Sequence, residues 1–172
     1  YTDGRRLYTK SILPGKQHFE ERTFKEKDGE YREFDPTRSK LAAMIMKGCT
    51  NAGIRKGDVI LYLGVSHGYT SSFVSDMIGE KGLIFGIDPA PRVIRDLVFL
   101  SEQRKNIVPL LADANHPEEY KEYLKEFTVD LIYMDVSQKN QVEILIKNAE
   151  KYLPKEKLAF LCLKAKSISS TE

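Results

Sequence analysis

Five short apolar runs, separated by stretches with helical spacing, constrain the fold of this chain more than any other feature. The runs cover residues 59–63, 83–87, 107–111, 129–134 and 158–163. Between them, apolar residues recur three and four positions apart, as in residues 93–100, which is typical of amphipathic helices. Strands that are apolar along their whole length are typical of a parallel sheet covered on both faces. The alternation therefore predicts an α/β fold with a mostly parallel sheet and helices on both faces.

Residues 1–34 have a different pattern, in which aromatic and β-branched residues alternate with charged ones. Residues 27–30 (KDGE) have the composition of a hairpin turn with Asp-Gly at its centre. We therefore predict a small β-rich appendage over residues 1–34 and an α/β domain over residues 35–172. Asp35 and Pro36 have the residue types of an N-cap and a first-turn proline for the first helix of that domain. The spacing of Val142, Leu145, Ile146 and Ala149 predicts a helix before the last apolar run.

Composition narrows the classes of function. At 172 residues, with 41% apolar and 30% charged residues, the chain suits one well-cored domain with an appendage. No apolar stretch reaches the roughly 20 residues of a membrane helix, so no membrane partner is expected. The net charge of +2 is too balanced for a broad nucleic-acid footprint, so any surface for a polyanion must be local. Cys49 and Cys162 show no paired metal-ligand spacing, and no metal site is expected.

A glycine or a charged residue follows each predicted strand. In the order of the strands, these residues are Gly64, Asp88, Asp113, Asp135 and Lys164. In an open parallel α/β sheet, the carboxyl ends of the strands form the edge where ligands bind. Acids placed in loops at random would not follow strand after strand, so the sequence predicts a ligand site at this edge.

The segment 64–70 (GVSHGYT) indicates how a ligand could be held. Gly64 and Gly68 permit close approach to the backbone, and the helix after Gly68 offers N–H groups and a positive end to an anionic group. The segment lacks the third glycine of the dinucleotide fingerprint, so it suits S-adenosylmethionine, which has a carboxylate and no phosphate, better than a diphosphate cofactor. Asp88 has the spacing to bond ribose hydroxyls, and Asp113 could hold an adenine amino group. The alternatives are a helix cap for Asp88 and a plain loop residue for Asp113.

Three further charges could meet above the sheet. Asp135 and Lys164 follow adjacent parts of the predicted sheet, and Lys40 could reach the same space from the helix before the first strand. Solvated surface charges are the alternative, and they are the usual state of a lysine. Lys164 directly follows an apolar run, however, and a charged group in such a place is expected to have an ion-pair partner or a functional role. A cluster of two lysines about one aspartate could present an amine as a general base towards a hydroxyl.

Six blocks of the sequence, taken together, resemble one known family. The blocks are YREFDPTRSKLAA, VILYLGVSHGYTSSFVSD, IFGIDPAPRVIRDLV, NIVPLLADANHPEEY, DLIYMDVSQKNQ and LCLKAKSIS. In this order and at these spacings they resemble the blocks of the fibrillarin family, more the archaeal than the nucleolar kind. The segment LYTKSILPGKQHFEE resembles the end of that family's small N-terminal β domain, so the resemblance covers essentially the whole chain.

The resemblance implies a Rossmann-like, S-adenosylmethionine-dependent methyltransferase fold that moves a methyl group to a ribose 2′-OH of rRNA or tRNA. It also implies that the protein acts inside a box C/D guide-RNA particle, together with a Nop-domain scaffold protein and a kink-turn-binding ribosomal-type protein. Guide base pairing would choose the target nucleotide, which agrees with the modest charge of the chain. The location it implies is the cytoplasm if the source is archaeal and the nucleolus if it is eukaryotic.

The resemblance also assigns roles to residues. It implies Lys40, Asp135 and Lys164 as catalytic residues. With the two glycines of the bend, the cofactor contacts are Gly64, Gly68, Tyr69, Thr70, Asp88, Pro89, Asp113, Ala114, Asp135, Val136, Ser137 and Gln138. The family's fourth catalytic residue is a histidine near its C-terminus, which has no counterpart here. Since the chain also starts with Tyr1, we expect parts of the whole protein to be missing at both ends.

The bend departs from the family pattern, which usually reads Gly-Ala-Ala-Ser-Gly-Thr-Thr. Here Val65, His67 and Tyr69 replace smaller residues, and Asp88 stands where Glu is usual. Tyr69 moves its hydroxyl outward, and its ring could crowd the methionine part of the cofactor. The alternative function is therefore a diverged, non-catalytic assembly module of the same fold. A third candidate, an NAD-binding oxidoreductase, is disfavoured by the missing glycine.

Some other side chains have two interpretations. Arg38, Arg92 and Arg95 could face RNA or the scaffold protein, or simply form exposed helix faces. His67 is expected to hydrogen-bond or pack rather than to catalyse. The aromatic residues of the N-terminal part are expected to pack with one another rather than to stack on bases; they are Tyr1, Tyr8, Phe19, Phe24 and Tyr31.

Overall fold

The computed structural model describes residues 1–49 and 51–164, so the end of the predicted α/β domain, residues 165–172, lies outside the described residues. The N-terminal part forms a three-stranded antiparallel sheet in the order β1-β3-β2. Its strands are β1 (Tyr8–Lys10), β2 (Thr23–Glu26) and β3 (Gly29–Glu33). The predicted hairpin is present, but Lys27 and Asp28 form its turn. The turn lies one residue earlier than predicted because Gly29 already pairs with Glu26.

The rest of the chain alternates helices and strands. The helices are α1 (Lys40–Met46), α2 (Tyr69–Ile78), α3 (Pro91–Gln103), α4 (Lys121–Leu124), which follows a 3-10 turn at Pro117–Tyr120, and α5 (Gln141–Tyr152). The strands are β4 (Val59–Leu63), β5 (Leu83–Asp88), β6 (Ile107–Leu111), β7 (Leu131–Met134) and β8 (Leu158–Leu161). No helix in the described ranges combines the length and the apolar character of a membrane span.

All five strands of this second sheet run parallel, in the order β6-β5-β4-β7-β8. The chain builds the sheet from β4 outward through β5 and β6, and then crosses to the other side of β4 to place β7. The strand order therefore reverses between β4 and β7. The predicted fold class, a mostly parallel sheet with helices and a small N-terminal β-rich part, is confirmed.

Successive residues of the parallel strands point to opposite faces and build two apolar cores. On one face, Ile60 of β4 packs in a cluster with Phe73 of α2 and Leu97 of α3. On the other face, Leu61 of β4 packs in a cluster with Ile144 of α5. Because both faces are covered, these strands are apolar along their whole length instead of alternating.

The first helix begins later than predicted. α1 starts at Lys40, and its N-cap is Ser39, whose Oγ accepts a hydrogen bond from the N–H of Ala42 at 3.4 Å. Asp35 instead accepts hydrogen bonds from the backbone N–H and the hydroxyl of Thr37, at 2.8 and 2.7 Å. The predicted Asp35 cap was wrong because this carboxylate closes a local turn before helical geometry starts.

The predicted helical spacing of residues 142–149 is confirmed by α5, but its buried face is not made of apolar residues alone. Val142 and Ile146 are 52% and 50% exposed. Asn148, on the same helix, is fully buried. Its amide donates to the carbonyl of Ala114 at 2.8 Å, and its oxygen accepts from the Tyr120 hydroxyl. A polar side chain whose hydrogen bonds are satisfied can occupy a core position. The buried face of α5 therefore does not follow the spacing of its apolar residues.

A buried ionic cluster joins the N-terminal sheet to α2. Arg32 of β3 pairs with Glu21 and with Asp76 of α2, each at 2.7 Å. Arg104, which follows α3, pairs with the other oxygen of Asp76 at 2.7 Å. The side chains of Arg32, Asp76 and Arg104 are 0% exposed. The cluster fixes the N-terminal sheet, and with it the segment that leads into α1, against the parallel-sheet domain.

Candidate active site

The ends of β4 and β7 lie side by side at the point where the strand order reverses. Asp135 follows β7, and its N–H donates to the carbonyl of Leu63 at 2.9 Å. Gly64 follows β4 with a φ of +75°, and a Cβ atom there would lie 2.6 Å from the Asp135 carbonyl oxygen and 3.0 Å from Val136 Cγ1. Only glycine allows the two chain segments to approach this closely. A crevice at such a reversal is the usual ligand site of an open α/β sheet.

Two lysines converge on the Asp135 carboxylate. Lys40 Nζ lies 2.9 Å from Oδ1 and 2.7 Å from Oδ2. Lys164 Nζ lies 2.9 Å from Oδ1 and donates to Ser137 Oγ at 2.6 Å. The Lys40 side chain is 49% exposed and the Asp135 side chain 19%, so the carboxylate is sheltered while that amine remains accessible. The structure thus brings together the three residues that the sequence marked as catalytic.

Separate elements hold the two lysines. Lys40 is the first residue of α1, directly after its N-cap. Lys164 follows the edge strand β8, and its N–H donates to Gln141 Oε1 at 3.0 Å while its carbonyl accepts from Gln141 Nε2 at 3.3 Å. Gln141 is fully buried, so it fixes the point at which the Lys164 side chain leaves the backbone. The sequence carried no signal for this contact, because a glutamine at the start of an amphipathic helix is ordinary.

Residues 64–68 form a bend that leads into α2. Gly68 is the N-cap of α2 with a φ of +95°. A Cβ atom at Gly68 would lie 2.6 Å from Leu100 Cδ2 and 2.9 Å from Leu97 Cδ1, so its conformation and its packing against α3 both require glycine. The first N–H groups of a helix have no partner within the helix. Those of α2 are therefore available to an anionic group at this edge.

Asp88 ends β5 and faces the bend. Its Oδ2 accepts from the N–H of Ser66 at 3.2 Å, and its Oδ1 accepts from the N–H of Ala90 at 3.1 Å. The helix-cap alternative is wrong, because the N-cap of α3 is Ala90. A carboxylate offers about four lone-pair sites, so Asp88 can still accept hydrogen bonds from hydroxyl groups. Pro89 is exposed beside it.

Asp113 belongs to a polar network between the ends of β6 and β7. Its Oδ1 accepts from the backbone N–H of Asn115 at 2.9 Å and from that side chain at 3.0 Å. The Asn115 amide also donates to Gln138, and its oxygen accepts from Asn140 at 2.8 Å. The Asn115 N–H holds the pKa of Asp113 below its usual range, so the carboxylate stays ionised. Neighbouring Ala114 is buried.

Tyr69 and Thr70, the first two residues of α2, extend towards the segment before α1. The Tyr69 hydroxyl accepts from the N–H of Asp35 at 3.2 Å, and its ring centroid lies 5.4 Å from that of Phe19. Thr70 Oγ1 donates to Ser39 Oγ at 3.0 Å. The Tyr69 ring thus turns towards the N-terminal part of the chain and also packs on Phe73 of α2, while the crowding of the cofactor stays a prediction.

Two tyrosines lie in the core next to the cluster. The rings of Tyr62 and Tyr133, on β4 and β7, meet edge to face with centroids 4.7 Å apart. Burial, reinforced by the Asp135 charge, raises the pKa of Tyr62 far above its usual range, and burial does the same for Tyr133. Both phenols are therefore neutral, and they add no negative charge to the site.

Other polar features of this surface do not form part of the lysine cluster. His67 Nδ1 lies 2.8 Å from Asp96 Oδ2, which confirms its hydrogen-bonding role. A surface cavity of about 680 Å³ lies beside α5 and touches the strand edge only at Asp113. Lys40, Asp135 and Lys164 do not line this cavity. Within residues 1–49 and 51–164, no three His, Cys, Asp or Glu side chains are grouped as metal ligands.

Known proteins resemble this chain in sequence and structure. The family model for fibrillarin matches residues 1–172. The fibrillarin-like rRNA/tRNA 2′-O-methyltransferase of Pyrococcus abyssi is 47% identical over 167 residues, which cover 97% of this chain and 73% of that protein. The structure of Aeropyrum pernix fibrillarin with natively bound S-adenosyl-L-methionine matches with a TM-score of 0.83 and 44% identity, over 87% of this chain and 64% of that one.

The structure of a fibrillarin/Nop5p complex also matches. Its TM-score is 0.82 and its identity 39%, over 100% of this chain and 78% of that one. The family model spans every residue, and the relative from Pyrococcus abyssi is 47% identical over 97% of this chain. This chain belongs to the fibrillarin family.

Proposed function

We propose that this protein transfers a methyl group from S-adenosylmethionine to a ribose 2′-OH of rRNA or tRNA, within a guide ribonucleoprotein. The observation that carries the proposal is the meeting of Lys40 and Lys164 at the Asp135 carboxylate, at the edge where the strand order reverses. The relative from Pyrococcus abyssi is named as an rRNA/tRNA 2′-O-methyltransferase. An aspartate that holds two amines beside a ligand crevice suits proton transfer from a hydroxyl.

The residues of this edge fit S-adenosylmethionine. The Cβ clashes at Gly64 and Gly68 mark a tight backbone bend, and the positive end of α2 suits the carboxylate of the cofactor. Asp88 and Asp113 retain acceptor sites for ribose hydroxyls and for an amino group. The Aeropyrum pernix relative binds this compound natively. When bound, the cofactor supplies a methyl group activated by a positively charged sulfur.

The lysine cluster would act on the RNA hydroxyl. Asp135 holds both amines by ion pairs, and the contact with Ser137 restricts Lys164 further. To act as a general base, the Lys164 amine first releases its own proton to solvent and then takes the proton of the 2′-hydroxyl. The Lys40 ammonium stabilises the negative charge that develops on the oxygen. As the oxygen bonds to the methyl group, the bond between that methyl group and the cofactor sulfur would break, which would leave a neutral thioether.

The partners that we propose follow from the family and from the charge of the chain. A Nop-domain scaffold protein is proposed because a fibrillarin relative forms a complex with Nop5p. A box C/D guide RNA and a kink-turn-binding protein complete the particle. With a net charge of +2, the chain needs only local contacts to RNA if guide pairing selects the nucleotide. The same proposal places the protein in the cytoplasm if the source is archaeal and in the nucleolus if it is eukaryotic.

Substitution of Lys164 tests the proposal. The full-length protein is assembled with scaffold protein, guide RNA and target RNA, and methyl transfer from labelled S-adenosylmethionine is measured. Lys164→Ala should lower the rate roughly 100-fold or more, because it removes the general base, and should leave cofactor affinity unchanged in a calorimetric titration. Lys147→Ala is the matched control and should keep full activity, because Lys147 lies on the exposed face of α5, where it pairs with Glu143 at 2.9 Å.

The same experiment separates the competing functions. Full activity in Lys164→Ala would contradict the proposed role of the cluster. A wild-type protein without affinity for S-adenosylmethionine, but with tight binding to the Nop-domain scaffold, would favour the non-catalytic assembly module. S-adenosylmethionine should raise the melting temperature, as any native-state ligand does, while stabilisation by NAD would indicate an oxidoreductase.

A further inference from the structure

The first turn of α2 makes three contacts with one segment of the chain, residues 35–39. The Tyr69 hydroxyl accepts from the N–H of Asp35 at 3.2 Å. The Arg38 guanidinium lies over the Tyr69 ring, 4.1 Å from its centroid. Thr70 Oγ1 donates to Ser39 Oγ at 3.0 Å. Three contacts along five residues hold this segment at its beginning, near its middle and at its end.

The segment ends where Lys40 begins. Ser39 is 5% exposed and is the N-cap of α1, and Lys40 is the first residue of that helix. The hydroxyl that Thr70 contacts is therefore the one that accepts the bond from Ala42 and sets the start of α1. A shift of Ser39 would move the Cα of Lys40 directly, because the two residues are adjacent.

The Lys40 side chain itself has little lateral support. It is 49% exposed and reaches Asp135 only through its terminal amine. Ordering a long, half-exposed lysine costs rotamer entropy, so the position of its backbone determines how often the amine meets the carboxylate. By contrast, Lys164 is held at its backbone by Gln141. For Lys40, the corresponding backbone support comes from the first turn of α2.

The aromatic part of this support is tightly packed. Besides Phe19, the Tyr69 ring contacts Phe73 with centroids 5.1 Å apart. Arg38 is fixed from its other side, because its Nη1 donates to the carbonyl of Phe19 at 2.9 Å. The cation-π contact and this hydrogen bond together hold the turn over residues 36–38 in one conformation.

We propose that Tyr69 and Thr70 are positioning residues for Lys40, acting through Asp35, Arg38 and Ser39. The inference rests on the proposed function, in which Lys40 acts on the RNA hydroxyl. It gives a further role to two residues that the family resemblance placed on S-adenosylmethionine. Their backbone N–H groups stay at the positive end of α2, where they remain available to the cofactor.

Thr70→Val tests the positioning role, because it keeps the shape of the side chain and removes the hydroxyl. The inference predicts that kcat at saturating S-adenosylmethionine falls roughly tenfold, since small misplacements of a catalytic group are costly. Thr70→Ser keeps the hydroxyl and should restore kcat. A raised Kd of the cofactor with an unchanged kcat would mean that Thr70 acts on the cofactor alone, and this result would overturn the inference.

A double-mutant cycle tests whether Thr70 acts through Ser39. If the hydroxyl pair acts as a unit, Ser39→Ala combined with Thr70→Val should lower kcat no further than the more severe single variant, whereas independent effects would multiply. Multiplied effects would refute the coupling. Tyr69→Phe, which keeps the ring under Arg38 and loses only the bond from Asp35, should lower kcat less than Thr70→Val does.

The outcomes also separate this inference from the proposed function. If the wild-type particle binds S-adenosylmethionine and methylates RNA but Thr70→Val keeps full kcat, the positioning role fails and the proposed function stands. If the wild-type particle does not methylate RNA, the proposed function fails first. Thermal unfolding of each variant checks that a lower kcat does not arise from unfolded protein.

Discussion

Asp76 is the side chain on which the attachment of the N-terminal sheet most depends, and its substitution gives the sharpest test of the packing. Its Oδ2 accepts from Arg32 Nη1 and from Thr9 Oγ1, at 2.7 and 2.8 Å. Its Oδ1 accepts from Arg104 Nη1 at 2.7 Å and from the N–H of Ile12 at 3.2 Å. Two guanidinium groups without exposure thus share one carboxylate.

Asp76→Ala should be strongly destabilising because it leaves two buried positive charges without their shared partner. Removing one member of a buried ion pair costs about 3–5 kcal/mol, and the lost bonds from Thr9 and Ile12 move the expected value towards the upper end. Nε and Nη2 of Arg104 already have no partner among the described residues, so Arg104 has little to replace the carboxylate. Against a total stability of about 5–15 kcal/mol, this loss is large.

Urea unfolding at neutral pH, followed by circular dichroism, measures the effect as a lower midpoint at constant m-value. In a chain of this size, 3 kcal/mol corresponds to a melting temperature lower by roughly 6–12 °C. Asp76→Asn separates charge from shape, because it keeps one acceptor oxygen and the volume of the side chain but loses the charge. We expect it to be clearly destabilising as well.

An exposed ion pair of the N-terminal sheet, between β1 and the turn after β2, supplies the control. Asp28 pairs with Lys10 at 3.0 Å, with side chains 60% and 50% exposed, and exposed pairs contribute little to stability. Asp28→Asn should therefore leave the midpoint within experimental error. If Asp76→Asn were as stable as Asp28→Asn, the argument that charge compensation holds the two parts of the chain together would be wrong.

Three further substitutions test single contacts. Gly64→Ala should destabilise the fold and abolish cofactor binding in a calorimetric titration, because its Cβ would lie 2.6 Å from the Asp135 carbonyl oxygen; wild-type affinity would contradict the required close approach. Gln141→Leu should lower kcat without changing cofactor affinity, because it releases the Lys164 backbone; an unchanged kcat would show that this contact is dispensable. Burial, reinforced by nearby arginines, lowers the pKa of His18, so the folded state resists its protonation. Stability should therefore fall as the pH drops below the usual histidine value of about 6.5, and His18→Gln should flatten that dependence in urea titrations between pH 5 and 7 (roughly the span of that titration); an identical slope in both proteins would refute it.

The strand edge could be predicted from sequence because its rules are local and general. Fully apolar runs identify buried parallel strands, and the residue after each run must lie at the carboxyl edge. That reasoning placed Asp135 and Lys164 at the same edge. The ion pairs with Asp135, at 2.7 Å to Lys40 and 2.9 Å to Lys164, agree with it. The strand limits differ by only one to two residues, as for β8, which ends at Leu161.

The buried cluster could not be predicted, because nothing local distinguishes its members from surface charges. Arg32 lies 44 positions before Asp76, and Arg104 lies 28 after it. Each of the three would ordinarily be assigned to solvent. The alternation of β3 does place Arg32 on the same face as fully buried Phe34, which was a usable signal that this arginine needed an internal partner.

Tyr69 shows that a motif can be located from sequence while the direction of one of its side chains is not predicted. The resemblance located the bend and the start of α2 correctly. It could not indicate that the ring turns towards Phe19 and Arg38, because those contacts join a residue of the parallel-sheet domain to the N-terminal segments. A larger residue at this position therefore has room in an aromatic cluster away from the bend, which is why the substitution is compatible with an intact crevice.

The N-terminal sheet reaches Lys40 by two routes, and both depend on α2. One is covalent: the chain leaves β3 through Phe34, whose ring stacks on Phe73 of α2 with centroids 4.4 Å apart, and continues to Ser39. The other passes through α2 itself, which Asp76 attaches to Arg32 near one end and Thr70 attaches to Ser39 at the other. A helix of ten residues is only about 15 Å long and moves as one body. A substitution in the buried cluster should therefore change the position of Lys40 as well as lower the stability of the fold. The small sheet is thus part of the framework that sets the geometry of the site.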